Sequence, residues 1–105
     1  MVKILKYKDK EYPYRVSFRA IAGLQRETKK DLNNTLAQLD DIDSITSLLY
    51  YSLQQGHKDE KIKLHIKRDD CYDLLEEGNF ETFVESVADF FLQMEKGKKD
   101  KSLKK

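Results

Sequence analysis

The feature that most constrains this chain is a run of thirteen residues without a charged side chain, Ser44–Gly56. Charged residues make up 37% of the sequence, so a run of this kind marks a segment that folds away from water. On a helix, four aliphatic residues share one face of the run: Ile45, Leu48, Leu49 and Leu53. Tyr50 and Tyr51 turn toward the flanks of that face. The run is therefore either the central helix of a small core or half of an interface.

Signals at both ends of the run predict the limits of the helix. Asp43 or Ser44 is a suitable N-cap, and the acidic residues just before it favour the positive end of the helix dipole. Gly56 is a residue type that commonly ends a helix, because glycine adopts positive φ without strain. We expect a central helix over residues 44–56.

The N-terminal residues predict a β-hairpin. Residues 2–8 and 12–18 alternate along the chain on either side of a polar turn at residues 9–11, which makes the loop longer than the two-residue ideal. Pro13 cannot donate to a strand ladder, so the second strand is an edge strand or begins after this residue.

Helices are predicted for most of the middle of the chain. Ser17 is the expected N-cap of a helix that ends near Thr28. The expected inward stripe of that helix is Phe18, Ile21, Ala22 and Gln25. A second helix follows over residues 32–39, with leucines at its first, fifth and last positions. Residues 62–66 alternate in a way that predicts a short strand or an extended segment.

Two more helices are predicted toward the C-terminal end. The first begins at Asp69 or Asp70 and stops at Gly78, and Asn79 is expected to cap the second. The stripe of this last helix is Phe80, Phe83, Val84, Val87, Phe91 and Met94. The predicted fold is α+β and mostly α, with an N-terminal β-hairpin followed by about four to five short helices in one compact domain.

Charge divides the chain into a domain over residues 1–95 and a tail over residues 96–105. The tail holds six lysines and one aspartate, a local charge of +5, which leaves −4 for the rest because the whole chain carries +1. A lysine-rich segment interrupted by glycine predicts disorder. No apolar run is long enough to cross a bilayer, and none near Met1 resembles a signal peptide, so we expect no membrane partner.

The sequence places few groups together that would carry out catalysis. His57 and His65 match no metal-ligand spacing, and a single cysteine, Cys71, excludes an internal disulfide and disfavours a zinc site. The helical spacing of Cys71, Leu74 and Leu75 predicts a core thiol rather than a nucleophile. Motifs for phosphate loops, dinucleotides, esterases and metalloproteases do not occur. We expect a protein that is not an enzyme and that has no cofactor and no metal.

Aromatic residues favour a protein–protein interface. Tyr50 and Tyr51 lie off the core-facing centre of their helix, and Phe90 is adjacent to a second phenylalanine. Tyr12 and Tyr14 lie on a hairpin that presents only one face to the core. Tyrosine is enriched at interfaces because its ring buries area while its hydroxyl stays hydrated. These five residues are the predicted partner-binding residues, although each one taken singly is explained equally well as an edge of the core.

The alternative function is a small regulatory nucleic-acid-binding domain whose basic tail, residues 96–105, contacts phosphates. The acidic body and the absence of aromatic residues from the tail count against this function. Salt distinguishes the two functions, because phosphate binding weakens steeply with ionic strength whereas apolar packing barely responds.

Three segments carry a resemblance to a known family. They are YPYRVSFRAIAGLQRET (residues 12–28), ITSLLYYSLQQGHKDE (45–60) and DLLEEGNFETFVESVADFF (73–91). They resemble the small tail assembly chaperones of long-tailed, siphovirus-like phages and prophages. The resemblance extends from residue 1 to about residue 94 and lies in helix type and length rather than in catalytic residues. The chain departs from the family pattern at residues 29–30, two lysines where relatives often place a glycine in a turn.

The resemblance implies a non-enzymatic chaperone of tail morphogenesis. Such proteins bind the long helical tape measure protein, keep its apolar stripes out of water and then give way to the major tail (tube) protein. Both are the expected partners, and self-association is also allowed. The resemblance further implies a location in the cytoplasm of the bacterial host and absence from the mature virion.

Overall fold

The fold places a β-hairpin before a set of helices, as the sequence predicts. The structure is a computed structural model and describes residues 2–37, 39 and 41–103, with side chains omitted at 32, 36, 37 and 95–103. The strands are β1 (Lys3–Tyr7) and β2 (Lys10–Tyr14). The helices are α1 (Phe18–Thr28), α2 (Leu32–Ala37), α3 (Ile42–Asp59), α4 (Asp70–Leu74) and α5 (Phe80–Leu103). Leu75–Asn79 joins the last two through a kink, where Gly78 has a φ of 91°. The α+β, mostly α class is therefore confirmed.

The hairpin turns over two residues rather than the predicted three. Lys8 and Asp9 have φ of 50° and 63°, the left-handed values that match the twist of a tight hairpin. The strands pair antiparallel, with Ile4 opposite Pro13. In an antiparallel ladder, hydrogen-bonded pairs alternate with pairs that have no hydrogen bonds, counted outward from the turn. The Ile4–Pro13 pair is one without hydrogen bonds, so the missing N–H of Pro13 costs the ladder nothing.

The uncharged run lies at the centre of the fold, in a helix longer than predicted. α3 begins beyond its N-cap Asp41, whose carboxylate accepts from the backbone N–H of Ser44 at 3.2 Å, and continues to Asp59. The four aliphatic residues of the predicted face are all buried: Ile45, Leu48, Leu49 and Leu53. The core assignment for that face is confirmed.

Gly56 lies inside α3, so the prediction that it ends the helix is wrong. A Cβ at this position would lie 2.5 Å from the carbonyl carbon of Pro13 and closer still to the backbone of Tyr14. One turn earlier, the carbonyl oxygen of Ser52 accepts from the backbone N–H of Arg15 at 2.9 Å. The glycine therefore allows the end of the hairpin to lie directly on the helix backbone.

α1 confirms its predicted cap but only part of its predicted stripe, in which Ile21 is buried. The Ser17 hydroxyl accepts from the backbone N–H of Ala20 at 3.2 Å. The buried residues are Ala20, Ile21, Gly23 and Leu24. Phe18, expected inside, is 65% exposed. The difference arises at Gly23, where the ring of Tyr51 on α3 takes the place of a side chain and draws this face of α1 inward.

The junction before α5 also differs from the prediction. Asn79 does not accept from the first turn of α5; its side-chain amide donates to the carbonyl oxygens of Lys6 at 3.0 Å and Leu74 at 2.9 Å. It therefore ties β1 to α4. The three residues expected to face inward before it are all buried: Cys71, Leu74 and Leu75.

Only part of the predicted α5 stripe is buried. Phe83 and Val87 are in the core, but Phe80 and Val84 are each 38% exposed. Ser86 takes a central place instead, because the hydroxyl of Tyr14 bonds to it across the core. The inward face of α5 is therefore rotated away from the predicted stripe.

The structure tests some of the predictions for the remaining segments and leaves others untested. Residues 62–66 form neither a strand nor a helix, whereas Leu39 after α2 packs against the core as expected. The backbone of α5 continues to Leu103, into the segment predicted to be disordered, and residues 104–105 lie outside the described residues. The division into a domain and a tail stays a prediction. No described helix is both long enough and apolar enough to cross a membrane.

We predict that Gly56→Ala lowers the free energy of unfolding by about 2–3 kcal/mol, because the added methyl overlaps the strand backbone. The matched change is Gly23→Ala, whose new methyl meets a tyrosine ring that is able to rotate, so we expect a loss of about 1 kcal/mol. Urea unfolding of both variants measures the difference. Equal losses would contradict the role of Gly56 in the contact between hairpin and helix.

We predict that Lys29→Gly stabilises the fold by about 0.5–1 kcal/mol, because an L-residue is strained in the left-handed region. Lys29 ends α1 at φ 58° and ψ 38°, and its N–H donates to the carbonyl oxygen of Gln25 at 2.7 Å. Lys30→Gly is the control, because Lys30 has no positive φ. There the change relieves no strain and only raises the entropy of the unfolded chain, which lowers stability. A gain that is no larger at 29 than at 30, by thermal or urea unfolding, counts against this explanation.

Candidate partner-binding surfaces

Tyr50 and Tyr51 lie side by side on α3, with ring centroids 6.0 Å apart and both rings half-buried. Tyr51 has an inward partner that the sequence did not reveal: its ring covers Gly23 of α1, and its hydroxyl donates to Oε1 of Glu27 at 3.2 Å. Burial, and then the charge of Glu27, raise the pKa of Tyr51 above its usual value. Tyr51 therefore joins α1 to α3, and Tyr50 is the freer ring of the two.

Tyr14 is a core residue, not a surface residue. It is 1% exposed, and its ring meets that of Phe83 edge-to-face at 5.8 Å. Ser86 donates its hydroxyl proton to the carbonyl oxygen of Thr82, so the Tyr14 hydroxyl donates to Ser86, at 2.6 Å. Burial raises the pKa of Tyr14. The expectation that this ring is a surface of the hairpin is wrong, because the residue lies under α3 and α5; its role in partner binding stays a prediction.

Tyr12 is half-buried at the edge of the hairpin. The centroid of its ring is 6.4 Å from that of Tyr7 and 6.3 Å from that of His57. His57 lies in α3 rather than in a charged loop, and its Nδ1 is 2.8 Å from the carbonyl oxygen of Leu53. A carbonyl only accepts, so Nδ1 carries the proton. Tyr12 covers this buried histidine and offers only part of its ring to a partner.

Among the five predicted partner-binding residues, Phe90 is the one that contacts two other phenylalanine rings. Its ring meets Phe18 and Phe91 edge-to-face, each at 5.5 Å. The three form a continuous row, which we call the aromatic row. Phe90 and Tyr14 also border one pocket of about 610 Å³, so the structure brings these two predicted residues together, whereas Tyr51 lines a separate groove.

A further apolar surface on α5 was missed because the sequence assigned part of it to the core. Phe80, Val84 and Leu92 are 38%, 38% and 55% exposed, and Ala88 between them is exposed as well. These four residues, each four positions from the next, form what we call the α5 ridge. The sequence signal that would have revealed the ridge is the constant spacing of four between its apolar residues, next to the buried Phe83 and Val87 on the same helix.

The ridge has acidic neighbours on the same helix. Glu81 and Glu85 are exposed and follow Phe80 and Val84 directly along the chain. On a helix, residues next to each other in sequence lie about 100° apart, so these carboxylates border the ridge without covering it. The ridge is therefore an apolar strip with a charged margin, and exposed apolar patches rimmed by polar residues often mark interaction sites.

Among the described residues, Arg68 organises the largest group of converging polar side chains. Its Nε donates to Oγ of Ser47 at 2.8 Å, its Nη1 to the hydroxyl of Tyr72 at 3.2 Å and its Nη2 to the carbonyl oxygen of Asp43 at 3.1 Å. Ser47 in turn donates to Oε2 of Glu27 at 2.6 Å. These groups satisfy one another and connect α1, α3 and α4. The cluster is a structural clasp that leaves no free group aimed at a ligand.

Cys71 is fully buried, and burial raises the pKa of its thiol to about 12. The thiol is therefore protonated at neutral pH and is a core group, as its spacing predicts. In the part of the chain that the structure describes, no three acidic, histidine or cysteine side chains are grouped to hold a metal ion. The absence of enzymatic activity stays a prediction.

Comparison of the chain with protein-family models, curated proteins and solved structures finds no match. The α5 ridge, the aromatic row and the groove beside Tyr51 are thus the features of this chain from which a function is inferred.

We predict that raising the pH from about 8 to about 10 lowers the free energy of unfolding more in the unaltered protein than in a Cys71→Ala variant. Folding raises the thiol pKa from about 8.5 to about 12. The stability that the neutral thiol contributes is complete below the unfolded pKa and is lost as pH rises above it, by up to about 1.4 kcal/mol per unit. Urea unfolding at several pH values measures both slopes. Parallel curves would show that the thiol titrates alike in both states.

Proposed function

We propose that the protein is a non-enzymatic chaperone of phage tail assembly, which binds the long helical tape measure protein and later yields it to the major tail protein. The observation that carries the proposal is the α5 ridge, an exposed apolar row at the spacing of a helix-packing surface. The resemblance of residues 12–28, 45–60 and 73–91 to tail assembly chaperones supplies the identity of the partners.

The ridge has the geometry that a helical partner requires. Residues four apart form the ridges that pack into the grooves of a second helix, and an amphipathic helix binds through anchors at this spacing. A partner with apolar stripes would cover Phe80, Val84 and Leu92 in one contact. The aromatic row is a second apolar surface, on the side of α1, where Phe18 is 65% exposed.

The energies suit a temporary complex. Burying a fully exposed Val, Leu or Phe side chain stabilises by about 1.5–3 kcal/mol, and the ridge residues are already partly covered. Each therefore contributes about 1 kcal/mol, so that a few residues give a modest affinity. A chaperone that must later give way to tube subunits needs an affinity of this kind. The mechanism is protection of apolar stripes followed by displacement.

The nucleic-acid alternative depends on residues 96–105, whose side chains lie outside the described ones. No described surface favours it over the chaperone function, and it stays a prediction.

We predict that the double change Val84→Ser and Leu92→Ser weakens capture of the co-expressed tape measure protein by about tenfold, because it removes two apolar contacts. The free energy of unfolding should fall by only about 1 kcal/mol, since Leu92 is 55% exposed and Val84, at 38%, is only partly covered. Co-purification and urea unfolding measure the two effects.

The control is Glu85→Ser, an exposed change on the same helix that leaves the ridge intact. Capture should survive this change and should also survive an increase in salt, as apolar packing does. Unchanged capture by the double variant, or capture that salt abolishes, would contradict the proposed use of the ridge.

A further inference from the structure

The groove between α1 and α3 has a chemistry different from that of the ridge. Its volume is about 330 Å³. α1 lines it with Arg19, Ala22 and Arg26, and α3 lines it with Tyr51, Gln54 and Gln55. We call it the α1–α3 groove. It runs beside the exposed face of α1 and shares no lining residue with the α5 ridge.

The chain has four arginines, and the two in the groove differ from the other two in having no described carboxylate partner. Arg15 is paired with Asp59 across the fold, and Arg68 is 4.0 Å from Glu27 within the clasp. Arg19 and Arg26 are exposed, and no described carboxylate lies within 4 Å of either. Both arginines without a described partner therefore line the same groove.

Their spacing defines what they would bind. Arg19 and Arg26 are seven residues apart on α1, which is close to two turns and about 10.5 Å along the axis. A second helix lying along the groove presents side chains seven residues apart at the same separation. Arginine binds carboxylates through two parallel hydrogen bonds, so two carboxylates at this spacing would meet both guanidinium groups.

The floor of the groove suits a closely packed helix. Ala22 is small, and the ring of Tyr51 lies across Gly23 and bonds to Glu27 through its hydroxyl. Gln54 and Gln55 add amide groups that both donate and accept hydrogen bonds. Positive ends, a flat aromatic and alanine floor and neutral amides together fit an acidic amphipathic helix.

We propose that the α1–α3 groove binds an acidic helix of a partner protein, with Arg19 and Arg26 holding carboxylates seven residues apart. The inference rests on the proposed function, in which the partner is helical, and it adds the chemistry of the segment that is recognised. A polyphosphate chain is a poorer occupant, because its charge is continuous, whereas the two guanidinium groups are about 10.5 Å apart along α1 and the groove between them is lined by neutral side chains.

The test uses the full chain and a labelled synthetic helical peptide of about 20 residues, long enough to hold helix. One peptide carries glutamates seven residues apart, and a matched peptide carries lysines there. The glutamate peptide should bind at low salt, and the double change R19E/R26E should weaken its binding at least about tenfold. The same variant should now bind the lysine peptide. This exchange of preference is the expected result.

The matched control is the double change K29E/K30E, which alters net charge equally at the end of α1 and outside the groove. It should change peptide binding less than about twofold, because the two lysines do not line the groove. Equal weakening by both variants would reduce the effect to net charge and overturn the proposal. Failure of R19E/R26E to bind the lysine peptide would overturn it as well.

Two further measurements identify a different occupant. Tighter binding of a short DNA duplex than of the glutamate peptide, abolished by R19E/R26E, would make the groove a phosphate site. A dimer of the chain that R19E/R26E dissociates in sedimentation would make a second copy the occupant. Either result overturns the proposal of an acidic partner helix.

The α5 ridge variant keeps this inference separate from the proposed function. Loss of tape measure capture in the ridge variant, but normal capture in R19E/R26E, would overturn the groove and leave the chaperone function. A successful exchange of peptide preference, together with no capture of the tape measure protein by the unaltered chain, would leave the groove and overturn the chaperone function.

Discussion

The fold depends on the contact between the backbone of α3 and the end of β2. Gly56 provides the space, and the carbonyl oxygen of Ser52 accepts from Arg15, so strand and helix meet without intervening side chains. Ser52 is buried and its hydroxyl has no partner among the described groups, a cost that its small size offsets by permitting the approach. Because the hairpin is fixed here, Tyr14 reaches under α3 to bond with α5, and the position of α5 follows.

That arrangement also explains the exposed apolar surface. Tyr14 requires a hydroxyl partner in the core, and Ser86 supplies it, so α5 turns a serine inward where an aliphatic residue would otherwise lie. With Phe83, Ser86 and Val87 inward, Phe80 and Val84 fall on the outer side. The α5 ridge is thus a consequence of satisfying a buried polar group. A helix rotated to bury the ridge would leave the tyrosine hydroxyl without a partner, which costs about 1–3 kcal/mol.

Sequence alone predicts the features that depend on neighbours along the chain. The Ser17 cap, the aliphatic face of α3 and the buried Cys71 follow from local spacing and are confirmed. Sequence fails where distant segments decide. The place of Gly56 depends on Tyr14, 42 residues earlier in the chain, and the exposure of Phe18 depends on a ring of α3 lying on Gly23. Of the candidate site, aromatic surface around Phe90 was predictable, whereas the groove arose only when the fold brought α1 and α3 together.

Under the proposed function, the two candidate surfaces would have complementary tasks in a complex that must form and then dissolve. Apolar contact on the ridge is insensitive to salt and unselective, so it holds any helix with a stripe of suitable width. The charges of Arg19 and Arg26 add little affinity when exposed, but they penalise a helix with lysines at those positions and fix the register of one with acids. A partner that satisfies both surfaces is bound selectively, while no single contact is strong enough to prevent its displacement. Separate surfaces for affinity and selectivity therefore reconcile recognition with release, which one large apolar interface would not do.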